Sequence, residues 1–163
     1  LYTPTSFDGT VSPSISIQGD AQPEDPLIAM ADPAIDSRIA VISPGALDIA
    51  CQLIRHGYQT ASVMRLDDRV RAHQADVVII PQVADSNFIE RAIPFAHRLL
   101  APMGVVVLRL PADHTGRTTA FARRQMILNG FTAIRVTTAH GKTLLGAELP
   151  LFGQIGHGRL ACA

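Results

Sequence analysis

The chain has 163 residues, with 47% hydrophobic and only 5% aromatic side chains, which is enough for one domain with an aliphatic core. Fourteen basic and fourteen acidic side chains cancel. With no basic block, the electrostatic case for binding nucleic acid or an anionic membrane is absent. No apolar run approaches the roughly 20 residues of a membrane helix. Cys51 and Cys162 make neither a disulfide framework nor a metal site, so the cytoplasm is the expected compartment.

Residues 1–37 are punctuated by Pro4, Pro13, Pro23, Pro26 and Pro33 and read as an N-terminal arm. Within it, Val11 to Ile17 has the alternation of a short edge strand, and Pro26 to Met30 that of one helical turn or an anchor. The arm is expected to pack on its own domain or on a partner subunit, which makes a homodimer or another protein the expected partner.

The α/β pattern fills residues 38–150 and opens with RIAVISPGALDIACQLIRHG at Arg38. Ile39, Val41 and Ile42 make a buried strand. Ser43-Pro44-Gly45 breaks it. Leu47, Ala50, Leu53 and Ile54 recur at helical spacing up to Gly57, a C-cap glycine. Gln59 to Leu66 is a second strand, with Ala61 and Val63 on one face. A short charged connection leads to the strand ADVVIIP, closed by Pro81. Asp85-Ser86-Asn87 offers N-caps to a helix over 87–100, which Pro94 should bend or divide and Pro102-Met103-Gly104 should stop. Val105 to Leu110 is the next strand, and Thr115 to Leu128 a helix with Arg117, Arg123 and Arg124 outward. A hairpin crosses Ala139 to Lys142. Residues 151–163 form a Gly-rich tail. This order predicts a three-layer, Rossmann-like α/β sandwich, mostly parallel, with a C-terminal antiparallel hairpin. Eight residues separate Leu66 from Ala75, too few for a crossover helix, so one edge strand should be missing.

Ser43, Pro44, Gly45 and Ala46 form a strand-to-helix turn able to line a ligand site, or Gly45 merely permits the turn. The six histidines lie at no zinc-motif spacing, so no metal is expected. His114, with Asp113, follows a strand end and is the best acid–base candidate, although no catalytic residue can be assigned. No serine lies in a G-x-S-x-G context, and there is no P-loop.

The stretch from Asp76 to Pro111, DVVIIPQVADSNFIERAIPFAHRLLAPMGVVVLRLP, resembles class I S-adenosylmethionine-dependent methyltransferases. It has that family's DVV strand, a helix ending in a leucine pair, a Pro-Gly-like turn and a Val/Leu strand, and the closing hairpin fits as well. The resemblance spans about residues 38–150. It implies S-adenosylmethionine as the cofactor, if any, held by Ser43 to Ala46, by an acid near Arg65 and Asp67 after the second strand, and by Pro81 and Gln82. The family's D/E-x-G-x-G-x-G positions are here Val41, Ser43, Gly45 and Leu47, so only one glycine survives. The Asn/Asp-Pro-Pro motif of amino-group methylating members is absent after the ADVVII strand. The expectation is a degenerate methyltransferase-like domain serving as a structural or protein-interaction module, with weak or no cofactor binding. The alternatives are an active small-molecule methyltransferase with an atypical pocket and an NAD(P)-binding domain. In the last, Arg65 would meet a 2′-phosphate and Asp48 would repel a pyrophosphate.

Overall fold

The computed structural model describes residues 24–113 and 115–151. The first helix, α1 (Pro26–Ala31), starts at an Asp-Pro step. The Asp25 carboxylate accepts from the Leu27 N–H, and proline at the first helical position has no N–H to satisfy. Strand β1 (Ile39–Ile42) is buried along its whole length. Helix α2 (Ala46–Arg55) follows Gly45, whose φ of 78° only glycine adopts without strain. It closes at His56 and Gly57, the latter also left-handed. Strand β2 (Ala61–Met64) is only half-buried, and Val63, on one face with Ala61, is 50% exposed. Strand β3 (Ala75–Ile80) follows a connection with no helix in it.

Helix α3 (Ser86–Leu99) is capped by Asp85, which accepts from the Phe88 N–H. Pro94 does not divide it. The hydrogen bond that proline forfeits would end on the carbonyl of Glu90, an exposed residue. Strand β4 (Leu100–Leu110) begins five residues before the sequence pattern suggests. Pro102-Met103-Gly104 is an irregularity inside this strand rather than a turn before it. Leu100 already pairs with Ala75, the register shifts before Val77 meets Val105, and Met103 takes a φ of 68°. Reciprocal bonds from Met103 N to Leu149 O and from Leu149 N to Gly104 O keep the segment in the sheet. Helix α4 (Arg117–Leu128) ends at Asn129-Gly130. Strands β5 (Thr132–Ala139) and β6 (Lys142–Glu148) form the hairpin across His140-Gly141, both of which have the positive φ a two-residue turn needs.

The six strands order as β2-β1-β3-β4-β6-β5. β2, β1, β3 and β4 run parallel, and β6 inserts antiparallel between β4 and β5. Alternate residues feed two cores. Ile39, Val41, Val77 and Ile79 pack under α1 and α2 with Leu27, Ile28, Ile49 and Leu53. Ala40, Ile42, Val78 and Ile80 pack under α3 and α4 with Ile89, Ile93, Leu99 and Met126. The expected three-layer sandwich and hairpin are present, and no strand lies outside β2 among the described residues. Leu27 and Ile28, within the stretch read as an arm, are fully buried on their own domain. The edge strand expected at Val11 to Ile17 and the tail from Phe152 lie outside the described residues.

Candidate functional site

The strand order reverses between β1 and β3, and a cleft opens at their carboxyl ends, where sheets of this kind hold ligands. The cleft has a volume of about 590 Å3 and is walled by the turn after β1, the start of α2, the loops after β3 and β4, and the β5–β6 turn. Gly45 closes on the neighbouring loop. A Cβ there would meet Gln82 at 3.5 Å and Pro81 at 3.6 Å, so the backbone φ, not lack of room, requires glycine. Val83 N donates to Arg109 O and ties the loop after β3 to β4.

The polar lining comes from both ends of the chain. Arg109 projects from an otherwise apolar strand end and pairs with Asp25 at 2.5 Å, with side chains 20% and 14% exposed. The same Asp25 oxygen caps α1, so one carboxylate anchors both a helix start and a guanidinium. Asp48 and Gln52 lie one turn apart on α2 and both line the cleft. The buried Gln52 Oε1 has no hydrogen-bond partner among the described residues. Lys142 and His140 close the far wall. Neither Asp48 nor Lys142 is ion-paired among the described residues.

Of the residues singled out in the sequence, the structure brings Gly45, Pro81 and Gln82 together in this cleft. Ser43 and Pro44 are not in its lining. They are joined by a cis peptide bond, and Ser43 N donates to Met64 O, stitching β1 to β2. Ala46 is buried beneath the start of α2. Arg65 and Asp67 pair with each other at 3.3 Å on the surface, with side chains 73% and 67% exposed. The neighbouring Asp68 accepts from Arg65 N and closes the loop on itself. No side chain of β2 or of the loop after it lines the cleft.

Asp113 organises the approach to α4. It accepts from the Thr115 hydroxyl and from the Thr115 and Thr118 N–H groups, and those bonds hold its carboxyl well below the usual carboxylate range. It is therefore an acceptor and not a proton donor near neutrality. His114 lies outside the described residues. Among them, no group of three His, Cys, Asp or Glu is placed to hold a metal ion, and no helix is long and apolar enough to cross a membrane.

Sequence reasoning did not reach Asp25, Gln52, Arg109 or Lys142. Arg109 had a signal, a lone arginine within the buried run VVVLRLP. Asp25 had one too, the Asp-Pro step of an N-cap. Their pairing had none, because 84 positions separate them.

No protein-family model matches the chain, and no curated protein does. Solved structures match in fold. TrmN from Thermus thermophilus superposes at a TM-score of 0.58 with 18% identity, over 76% of this chain and 47% of its own. An O-methyltransferase family protein from Burkholderia thailandensis gives 0.52 at 14% identity, over 76% and 55%. A protein from Bordetella parapertussis, described as a possible exported protein, gives 0.52 at 14%, over 76% and 65%. The chain thus spans roughly half to two thirds of the length of the solved structures it matches. Its fold is that of a class I methyltransferase, a mostly parallel sheet with an antiparallel hairpin, here with no strand beyond β2 among the described residues.

Proposed function

We propose that this is a methyltransferase-like domain that has given up S-adenosylmethionine and acts as a protein-interaction module. The observation that carries this reading is the composition of the cleft: its walls come from α2 and from the carboxyl ends of β1, β3 and β4, and from the hairpin, with nothing from β2. In the fold's enzymes, as the sequence resemblance implies, a carboxylate after the second strand holds the ribose. Here the nearest carboxylates, Asp67 and Asp68, are spent on Arg65. The outer strand that would flank an adenine is missing among the described residues, and Leu47 stands at a glycine position of the cofactor loop. These residues do not fit an adenosine, and no catalytic step through S-adenosylmethionine is assigned to them. The arm of residues 1–37 remains the expected contact to a partner or a second subunit.

Calorimetric titration of the full chain with S-adenosylhomocysteine, S-adenosylmethionine and NADP tests the reading. The expected result is no saturable heat for any of them, with Kd weaker than about 1 mM. Binding of S-adenosylhomocysteine in the micromolar range would favour an active enzyme with an unusual pocket and overturn the reading. NADP binding lost on Arg65→Ala would favour the dinucleotide alternative.

A further inference from the structure

The chain is neutral as a whole, but its two helical layers are not. On α3 and α4, Arg91, Arg98, Arg117, Arg123 and Arg124 are exposed, against one acid, Glu90. None of these arginines takes part in an ion pair among the described residues, and Arg98 instead lies over the Phe95 ring. On the opposite layer, Glu24 ahead of the Asp25 cap, Asp32 and Asp36 in the connection from α1 to β1, and Asp48 on α2 are exposed, against Arg55 and the Asp76-paired Arg38, and none of these four acids is ion-paired among the described residues either. The field of these acids reaches Tyr58, on the same side of the sheet. Its phenol is pushed up first by burial and then by Glu24 and Asp32.

Each layer also exposes large apolar side chains beside its charges. Ile127 and Leu128 are 62% and 67% exposed at the end of α4. Ile35, Leu47 and Ile54 are 63%, 71% and 64% exposed on the acidic side. Leu47 and Ile54 fall two turns apart on α2, with exposed Cys51 between them, so they share one stripe. Exposed apolar groups set among unpaired charges of one sign mark docking surfaces.

We infer that the arginine face of α3 and α4 docks onto the acidic face of α1 and α2 of a second copy of the chain. The two faces are complementary in charge, and both bring an apolar centre. Like faces would repel, so a two-fold pairing of α4 with α4 is disfavoured, and the contact is head-to-tail. A polyanion would answer the arginines but leave Ile127 and Leu128 uncovered, which favours a protein surface. The inference deepens the module reading by naming its partner.

Sedimentation of the full chain at low and high salt, over a range of concentration, tests it. Self-association should weaken by about tenfold or more between roughly 0.05 and 0.5 M salt, because screening at that ionic strength shortens the reach of the facing charges. Arg123→Glu with Arg124→Glu should leave a monomer with an unchanged circular dichroism spectrum, as should Glu24→Arg with Asp36→Arg. Mixing the two charge-reversed variants should restore a complex, a result that a merely misfolded variant cannot give. A monomer at every concentration overturns the inference, whatever the cofactor titration shows. Association that survives both reversals overturns it as well, as does binding of an RNA oligonucleotide by the arginine face of a monomer. Cofactor binding by a salt-sensitive oligomer would instead sink the module reading and leave the interface standing.

Discussion

Gly104 shows how tightly one residue can be specified without any positive φ. A Cβ at that position would lie 2.8 Å from Ala101 O, 2.8 Å from Leu100 Cδ2 and 2.9 Å from Asp76 O. Two of those neighbours are backbone and cannot move aside. Gly104→Ala should therefore cost about 2 kcal/mol or more, read as a lower urea midpoint at unchanged slope. Asp76 is fixed from the other side. Its carboxylate accepts from the Arg38 backbone and guanidinium, which lowers its pKa from the ordinary 3.8, against a smaller opposing effect of burial. A lowered folded pKa means that the contribution is complete above the ordinary carboxylate range and fades as pH falls through the folded value. Both side chains are well exposed, so solvent screening holds the effect to about 1 kcal/mol. The stability difference between wild type and Asp76→Asn should be present at neutral pH and vanish in strong acid; a difference that persisted in strong acid would rule out the ion pair as its source. At this scale the sequence revealed a small part of the cleft. Gly45, Pro81 and Gln82 were legible because turn chemistry is local. Arg109 and Asp25 were not, because their meeting is set by how α1 lies across β4.

Among the elements, α1, where the sequence reads as one helical turn or an anchor, depends most on tertiary contact. It has six residues, too short to be helical alone, and it sits in a proline-punctuated stretch. It persists because Leu27 and Ile28 are completely buried against the sheet and because Asp25 caps it while holding Arg109. Leu27→Ala should cost about 2–5 kcal/mol, as for a core leucine, where a loosely attached arm would lose little. Asp25→Ala should cost about 1–2 kcal/mol through the lost cap alone, and its effect should be less than additive with that of Arg109→Ala. Thermal melts of the two single variants and the double variant measure this coupling, and strict additivity would dissolve the claim that they act as a pair. Other elements needed no such tertiary knowledge. β1, α2, β3, α3 and α4 follow directly from apolar period, caps and terminating glycines. The start of β4 did not, because Pro-Met-Gly is the usual signature of a turn, and only the partner strand shows that it is held inside a ladder instead.

For the molecule as a whole, the sheet has a dense centre and two thin margins. β1, β3 and β4 are covered on both faces, whereas among the described residues β2 bonds to β1 alone and β5 to β6 alone. The connection from β2 to β3 has no helix, and it reaches back through the apolar side chains of Leu66 and Val70 and through hydrogen bonds of His73 with Arg98 O and Leu100 O. An edge of this kind opens by local fluctuation long before the domain unfolds, since little apolar area is uncovered when it leaves. With no strand outside β2 among the described residues, stability falls from the centre of the sheet to this edge. Amides of Ala61 to Met64 should exchange with solvent first, at least about a hundredfold faster than those of Val77 to Ile80, a gap of about 3 kcal/mol in opening free energy. Hydrogen exchange read by mass spectrometry on the full chain measures it. Equal protection of β2 and β3 would require a cover on the outer edge of β2, which no described residue supplies, and would overturn the gradient.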